Sequence, residues 1–450
     1  MADAASVGIS GKLKAMRWFA GVFLLLAISL CFGLGLLAYA MYALLGLMLA
    51  SRVMSRVWIT NLSAERECNR LSASIGERIA VVINIQNEGT LPVAWLLLED
   101  VLPRTALIYD PPNLSVKGRR IQLKMLGSRG RSSILYQLQC NRRGYYQIGP
   151  LVLETGDLFG LHRRYRVATD PHFLLVYPQV VPLAGYDIAS RRPIGEIRLQ
   201  HRLYEDPTRI AGVRRYEAGD PLNRVHWRAT ARTGVLHSKV YEASTIAGAT
   251  ILLDFHQSAY DPKDEPYRSE LAVTAAASLA NAVYEMGQQF GLISNCRDAA
   301  DRIRQEGWSY DLRNREAARR AASMLDRSDR LRPVVIPTRR GPDQLMQIFQ
   351  SLARAELTDG LDFAQLVSET MSRLPRDATV VAILPQANPD TILTLQMLRR
   401  RGYAVTAILN FYDEYDSGLA AAILSASGIT ARQLKDETSV PEICREFALR

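Results

Sequence analysis

The sequence predicts a multidomain chain: an N-terminal transmembrane helical hairpin, an all-β sandwich-like domain and a C-terminal α/β doubly wound domain. Three observations predict it. From Trp18 to Ser51, 34 consecutive residues carry no charge. Between 75 and 180, short β-branched runs alternate with turn residues about every ten positions. From about Ala249, buried-strand runs alternate with helical periodicity. The boundaries read as 1–16, a cytoplasmic N-terminus; 17–58, the hairpin; 61–185, the β domain; 186–242, a connector; and 243–450, the α/β domain.

Composition excludes several classes. With 450 residues, 48% hydrophobic and 22% charged, the chain is neither collagen, coiled-coil rod nor mostly disordered. The net charge of +10 is compatible with nucleic acid, anionic lipid or an acidic partner. The five cysteines, at 31, 68, 140, 296 and 444, have no metal or redox spacing and do not cluster with the six histidines. A reducing compartment fits them better than a disulfide scaffold, and a zinc site is disfavoured.

The uncharged run is too long for one upright helix, since a bilayer core about 30 Å thick takes roughly 20 helical residues. It suffices for two short spans if the second continues to Trp58, with Arg52 and Arg56 snorkelling and Gly33-Leu34-Gly35 in the turn. Lys12, Lys14 and Arg17 precede it, and Arg52, Arg56, Arg66 and Arg70 follow it. Positive flanks on both sides place both ends in the cytoplasm. A single span with an exported domain is the alternative.

In the β region the expected strands are 77–86, 93–98, 133–139, 144–148 and 151–154, the last two flanking a turn at Gly149-Pro150. Pro111 to Asp170 holds 11 Lys and Arg against 3 Asp and Glu. A solvated face near an anionic membrane explains that excess better than nucleic-acid binding does.

In the last region, buried strands are expected at 249–254, 378–384 and 402–409, with a shorter one at 333–336. Helices are expected at 270–289, 345–352, 363–371 and 389–400. Neither a Gly-x-Gly-x-x-Gly nor a Walker A motif occurs, so nucleotide binding lacks its usual fingerprint.

The connector carries the densest polar and aromatic constellation, from Arg214 to Leu236. Gly219-Asp220-Pro221 reads as a turn. Val225 to Arg232 reads as a helix stopped by Gly234, with a strand at 236–241. One reading makes Asp220, His226 and Arg232 a catalytic or anion site, because a carboxylate beside a histidine makes a base poised near neutral pH. The preferred reading is a structural network. There Arg224, Arg228 and Arg232 pair with Glu217 and Asp220, and Trp227 plugs an interdomain seam.

This segment resembles the bacterial membrane proteins of domain of unknown function 58. The resemblance rests on Arg214, Tyr216, Gly219, Asp220, His226, Trp227, Ala231, Arg232, Gly234 and Leu236. Arg143 to Pro150, Asp157 to Leu161 and Val176-Tyr-Pro178 look like the family as well, with Leu158 where a proline is usual. The resemblance implies a MoxR-type AAA+ ATPase partner and a C-terminal domain similar to von Willebrand factor A. Such domains often hold Mg²⁺ through Asp-x-Ser-x-Ser, a Thr and a later Asp, all hard oxygen ligands. Here Asp254 and Ser258 match, His256 replaces the middle Ser, Pro385-Gln386 stands where the later Asp belongs, and the Thr has no assignment. A degenerate, metal-free loop is expected, with Mg²⁺ at Asp254 and Ser258 as the weaker alternative.

The expected function is therefore a membrane-anchored, non-enzymatic adaptor in the bacterial inner membrane, with its soluble domains cytoplasmic. Its expected partners are a MoxR-type AAA+ ATPase, membrane lipid and other membrane or envelope proteins, and no cofactor or nucleic acid. The alternatives are a hydrolase-like enzyme using Asp220 with His226 or Asp254 with His256, and a basic nucleic-acid or anionic-lipid binding module. Cys296 is a conceivable nucleophile without an evident base.

Overall fold

The computed structural model describes residues 20–103, 106–157, 162–182, 204–217, 224–244, 248–301, 331–375, 378–411 and 413–449. Lys12, Lys14, Arg17, the Leu158–Leu161 part of one motif, Gly219 and Asp220 lie outside them. The chain divides into two compact units, Met1–Pro178 with Asp298–Ser328, and Gln179–Arg297 with Asp329–Arg450.

The first unit opens with two apolar helices, α1 (Ala20–Cys31) and α2 (Gly35–Thr60). Gly33 ends α1 in a left-handed conformation, φ +65°. The Gly33 amide bonds the Leu30 carbonyl and the Leu34 amide bonds the Ser29 carbonyl, which satisfies the last turn and leaves three residues between the helices. The break between the helices falls at Phe32-Gly33-Leu34, and Gly35, expected in the turn, already belongs to α2. Among the described residues, α2 is the one helix long and apolar enough to cross a membrane.

The β region follows as β1 (Leu62–Cys68), β2 (Ser72–Ser74), β3 (Arg78–Asn87), β4 (Val93–Asp100), β5 (Leu114–Gly118), β6 (Ile121–Leu126), β7 (Arg131–Cys140), β8 (Gly144–Ile148), β9 (Leu151–Gly156), β10 (Arg163–Thr169) and β11 (His172–Tyr177). They form sheets ordered β1-β3-β7-β5, β10-β9-β4-β6 and β2-β11-β8. Alternation puts Ile79, Val81, Ile83 and Ile85 of β3 on one face, where they share a core with Leu96 and Leu98 of β4 and Leu151 and Leu153 of β9. Each such side chain contributes about 2 kcal/mol on burial. A one-residue slip would turn the whole row outward, so the register is firmly set.

The C-terminal end of α2 is built into this sandwich. Trp58 and Ile59 belong to its core. The Arg166 guanidinium of β10 donates to the carbonyls of Ile59 (3.4 Å), Thr60 (3.1 Å) and Leu62 (3.0 Å). A cation on those end carbonyls meets the negative pole of the helix.

The second unit begins with a two-stranded arm, β12 (Tyr204–Arg215) and β13 (His237–Ser244), carrying the short helix α3 (Trp227–Thr233) between them. The strands of the central sheet are β14 (Gly248–Leu253), β15 (Gln289–Ser294), β16 (Val334–Arg339), β17 (Thr379–Leu384), β18 (Val405–Leu409) and β19 (Thr430–Gln433). They make one six-stranded sheet ordered β16-β15-β14-β17-β18-β19, parallel except for β16. The helices are α4 (Tyr267–Glu285), α5 (Pro342–Arg354), α6 (Phe363–Thr370), α7 (Pro389–Arg400), α8 (Glu414–Ala426) and α9 (Val440–Leu449). Ile251 and Leu253 pack with α4, α5 and α9, whereas Leu252 packs with α6, α7 and α8. Helices thus cover both faces, and every β14 side chain is buried.

Candidate functional site

In this strand order the chain leaves β14 toward one side of the sheet and β17 toward the other. The loops after β14 and β17 therefore diverge, which is where such sheets usually place a binding crevice. Asp254 stands immediately after β14 and is 3% exposed. Its Oδ1 accepts from Asn295 Nδ2 (2.9 Å) and from the His256 amide (3.2 Å). Asn295 follows β15. Its other contacts are a donation to the Leu361 carbonyl (2.8 Å) and acceptance from the Phe255 amide (2.6 Å). One side-chain amide so ties three loops together.

Thr358 joins the same cluster. Its amide donates to the Phe255 carbonyl (3.1 Å), and its carbonyl accepts from the Gln257 amide (2.7 Å). Thr358 lies in a segment with no strand or helix pattern of its own, and only tertiary pairing brings it to the β14 loop. Asn295 also escaped the sequence reading; its one signal was its position just after an apolar run.

The candidate metal residues do not fit a hard divalent cation. Burial pushes the Asp254 carboxyl above the usual range, and the N–H donors of Asn295 and His256 hold it down only in part. A bound cation needs further anionic oxygen, yet the described residues contain no cluster of three or more His, Cys, Asp or Glu able to hold a metal. His256 Nδ1 and Ser258 Oγ lie 2.8 Å apart and are engaged with each other. Thr358 Oγ1 accepts from the Gly360 amide (3.0 Å). Asp254 Oδ1, Ser258 Oγ and Thr358 Oγ1 are engaged in holding loops.

The arm gathers most of the other candidates. His226 caps α3: its Nδ1 accepts the Ala229 amide (3.0 Å), and its own amide donates to the His237 carbonyl (2.8 Å). Nδ1 as acceptor puts the proton of the neutral ring on Nε2. Gly234 ends the helix at φ +71°, with its amide on the Thr230 carbonyl. The Tyr216 amide donates to the Leu236 carbonyl (2.9 Å), which closes the arm. Histidine cap and glycine stop explain the residue types at two motif positions. Asp220 and Gly219 lie outside the described residues, so the Asp220–His226 pair has no geometry here.

One expectation for this segment is corrected: Trp227 plugs no seam, because it is 69% exposed on the first turn of α3. Glu217 pairs with Arg214 (3.6 Å), and Arg228 and Arg232 are exposed on α3, a helix with no buried residue. The other expected carboxylate partner, Asp220, lies outside the described residues.

The second motif, Arg143 to Pro150, is a structural corner. Arg66 Nη2 and Nε grip both oxygens of Asp100, and the Tyr136 hydroxyl donates to Asp100 Oδ2 (2.6 Å). Arg66 Nη1 also donates to the Ile148 and Asp170 carbonyls, 3.0 Å each. Gly149, at φ +94°, lies directly on that guanidinium, and any Cβ there would collide with it. Cys296 is buried at 4% exposure, which removes it as a nucleophile open to substrate. None of the five cysteines is disulfide-bonded.

Residues 212–307 match the family model described as protein of unknown function DUF58. That span takes in α3, β13, β14, α4 and β15. An uncharacterized protein, YeaD, of Bacillus subtilis (strain 168) is 22% identical over 258 residues, covering 57% of this chain and 61% of that protein. The match thus spans less than two thirds of that relative's length. Among solved structures, proximal thread matrix protein 1 from the mussel byssus aligns over 45% of each chain at 9% identity, with a TM-score of 0.28. A CARDB domain from Pyrococcus furiosus aligns over 26% of this chain and 91% of its own, at 10% identity and a TM-score of 0.17.

Proposed function

We propose that the protein is a membrane-anchored, non-enzymatic adaptor whose second unit docks other proteins. One observation carries this reading. The residues that could do acid–base work are engaged in holding structure: His226 caps a helix, and Asp254 is latched by the Asn295 side chain. Beside them the arm presents apolar surface outward, with Trp227, Val213, Val235 and Leu236 all exposed. An exposed tryptophan among arginines is the composition of an interaction surface.

The anchor is α2, continued by the sandwich as a rigid stalk. We assign the membrane to a bacterial inner membrane and the soluble units to the cytoplasm, on the strength of Arg52 and Arg56 following the apolar run. We read α1 and α2 together as the hairpin. We further infer that the C-terminal sheet is von Willebrand factor A-like. Its strand order, its antiparallel third strand and Asp254 after the first strand support that reading. The resemblance to the DUF58 family suggests a MoxR-type AAA+ ATPase as partner, in assembly or remodelling of membrane or envelope complexes. Two arginines of the basic β stretch, Arg164 and Arg166, contact α2, which favours a membrane-facing role for that stretch over nucleic acid.

The test is co-purification of the full detergent-solubilised chain with a purified MoxR-type AAA+ ATPase. Trp227→Ala is expected to weaken capture at least tenfold while leaving the melting temperature unchanged. Undiminished capture by a folded Trp227→Ala chain removes the arm from the interface. His226→Gln separates the enzyme reading: turnover lost from a chain of unchanged stability and capture would favour a hydrolase.

A further inference from the structure

Helix α8 has two sides free of charge and buries only one. Helical residues step by about 100°, which puts Ser417, Ala420 and Leu424 together, and all three are buried, the last two in the core beneath the sheet. The opposite side is made of Tyr415, Gly418, Leu419, Ala422, Ile423 and Ala426, an arc of about 140° without a charged residue. Every one of them is exposed, Tyr415 at 78%, Leu419 at 54% and Ile423 at 41%. A helix that is apolar all round is ordinarily covered all round, so the open side of α8 calls for a partner.

Residue size on that side is self-complementary. Tyr415, Leu419 and Ile423 make a ridge at i, i+4 and i+8, and Gly418, Ala422 and Ala426 make a parallel row of small residues three positions further on. A Cβ at Gly418 would meet nothing within 4 Å, so the notch is open. A second α8 turned antiparallel about a two-fold axis lays the ridge of each copy in the small-residue row of the other. Leu419 then faces Ala422, Ile423 faces Gly418 and Tyr415 faces Ala426, in both directions. Parallel pairing would set each large residue on its own twin and leave gaps at the small ones.

Charge sorts the two ends the same way. Asp413 and Asp416 are exposed at the start of α8. Beside its other end stand Arg399 and Arg400, exposed in the last turn of α7. Gln396 of α7 donates to Ser427 Oγ (2.8 Å), and a Cβ at Gly428 would lie 3.9 Å from Arg399 Nε, which fixes the two ends together. Antiparallel pairing brings the acidic start of each copy to the basic end of the other, whereas parallel pairing brings acid to acid.

We propose that α8 is a self-association surface through which two copies of this chain pair antiparallel. Two helices of 13 residues, each about 20 Å long, bury less than the about 1,200 Å² of a stable complex, so the pairing is weak and reversible. The surface is separate from the arm, and it stands or falls independently of the docking function proposed above.

The experiment is sedimentation velocity on the full detergent-solubilised chain over about 1–200 µM. The wild type is expected to pass reversibly from monomer to dimer. Gly418→Leu fills the notch and should weaken the dimer at least about tenfold. Its melting temperature should stay equal or rise, since leucine favours helix over glycine and its side chain enters open space. Leu419→Ser, an exposed change that cuts the ridge, should weaken the dimer as well, and Trp227→Ala should leave it unchanged. A wild type that is monomeric throughout overturns the proposal, as does a folded Gly418→Leu chain that dimerises like the wild type. Direction is read by oxidative crosslinking in a Cys31→Ser background, which removes the exposed native thiol. In the antiparallel pair, residue 419 lies about 5 Å along the helix from its twin and residue 415 about 16 Å. Leu419→Cys should therefore crosslink and Tyr415→Cys should not; the reverse overturns the antiparallel pairing. A monomeric chain whose capture of the AAA+ ATPase is lost in Gly418→Leu gives this face to a different protein and overturns the second copy as its occupant.

Discussion

Each unit holds a buried aspartate at a strand end, Asp100 in the sandwich and Asp254 in the α/β unit, and the two are treated differently. In the sandwich, Asp100 has a full cation and a phenol on its two oxygens. In the α/β unit, Asp254 has only an amide side chain and a backbone N–H. Burial raises the pKa of both. Arg66 is the largest force opposing that rise at Asp100, and no cation of comparable strength opposes it at Asp254. The contrast teaches that the first carboxylate is needed as a charge and the second as a shape. A charge whose partner is buried cannot be removed cheaply, whereas a hydrogen-bond acceptor can be replaced by another acceptor.

The largest effect is expected at the charged pair. Asp100→Asn keeps the shape but strands the Arg66 guanidinium, whose side chain is fully buried. Denaturant unfolding should show a loss of about 3–5 kcal/mol; a loss under about 1 kcal/mol would erase the contrast. Asn295→Ala comes next. It removes the bonds to Asp254, Phe255 and Leu361 together, at about 2–4 kcal/mol. Gly149→Ala should cost about 2 kcal/mol, because it places a Cβ on the Arg66 guanidinium at a left-handed φ. Pairing Gly149→Ala with Arg66→Ala in a double-mutant cycle sharpens the point: the costs should be strongly non-additive if the guanidinium is the obstacle.

Periodicity made the scaffold legible and left the sites largely hidden. The expected strand 144–148 and helix 389–400 coincide with β8 and α7, and the expected strands at 93–98 and 378–384 fall on β4 and β17. All four carry a full apolar pattern or clear turn residues. β12 was missed because Glu205-Asp-Pro207 interrupts its alternation, and β6 because Gln122 and Lys124 alternate with apolar residues that face outward. At the sites, residue type was readable and role was not. His226 and Gly234 announced a helix between them, yet the exposure of Trp227 depended on α3 being too short to cover it. Thr358 carries no local signal and Asn295 only its place after an apolar run, since parallel pairing of distant strands is what assembles them beside Asp254.

The smallest effect has the opposite sign and tests the contrast most directly. Asp254→Asn keeps an oxygen to accept from Asn295 and His256, and it removes a buried charge. Because burial raises the folded-state pKa, the folded chain holds its proton more tightly than the unfolded chain does. Ionising Asp254 therefore costs stability as pH rises through the raised pKa, and that cost is complete above it. Asp254→Asn should be equal to or slightly more stable than the wild type at pH 7, by up to about 1 kcal/mol. The advantage should shrink as pH falls through the raised pKa and vanish below the ordinary carboxylate value, where both forms are neutral. A pH series of melting curves for the two chains reads this directly. Should Asp254→Asn instead lose more than about 1 kcal/mol at pH 7, the ionised carboxylate is required, and a cation must be what requires it. The β14 loop would then belong with Asp100 as a charge site, and its metal-free reading would fall.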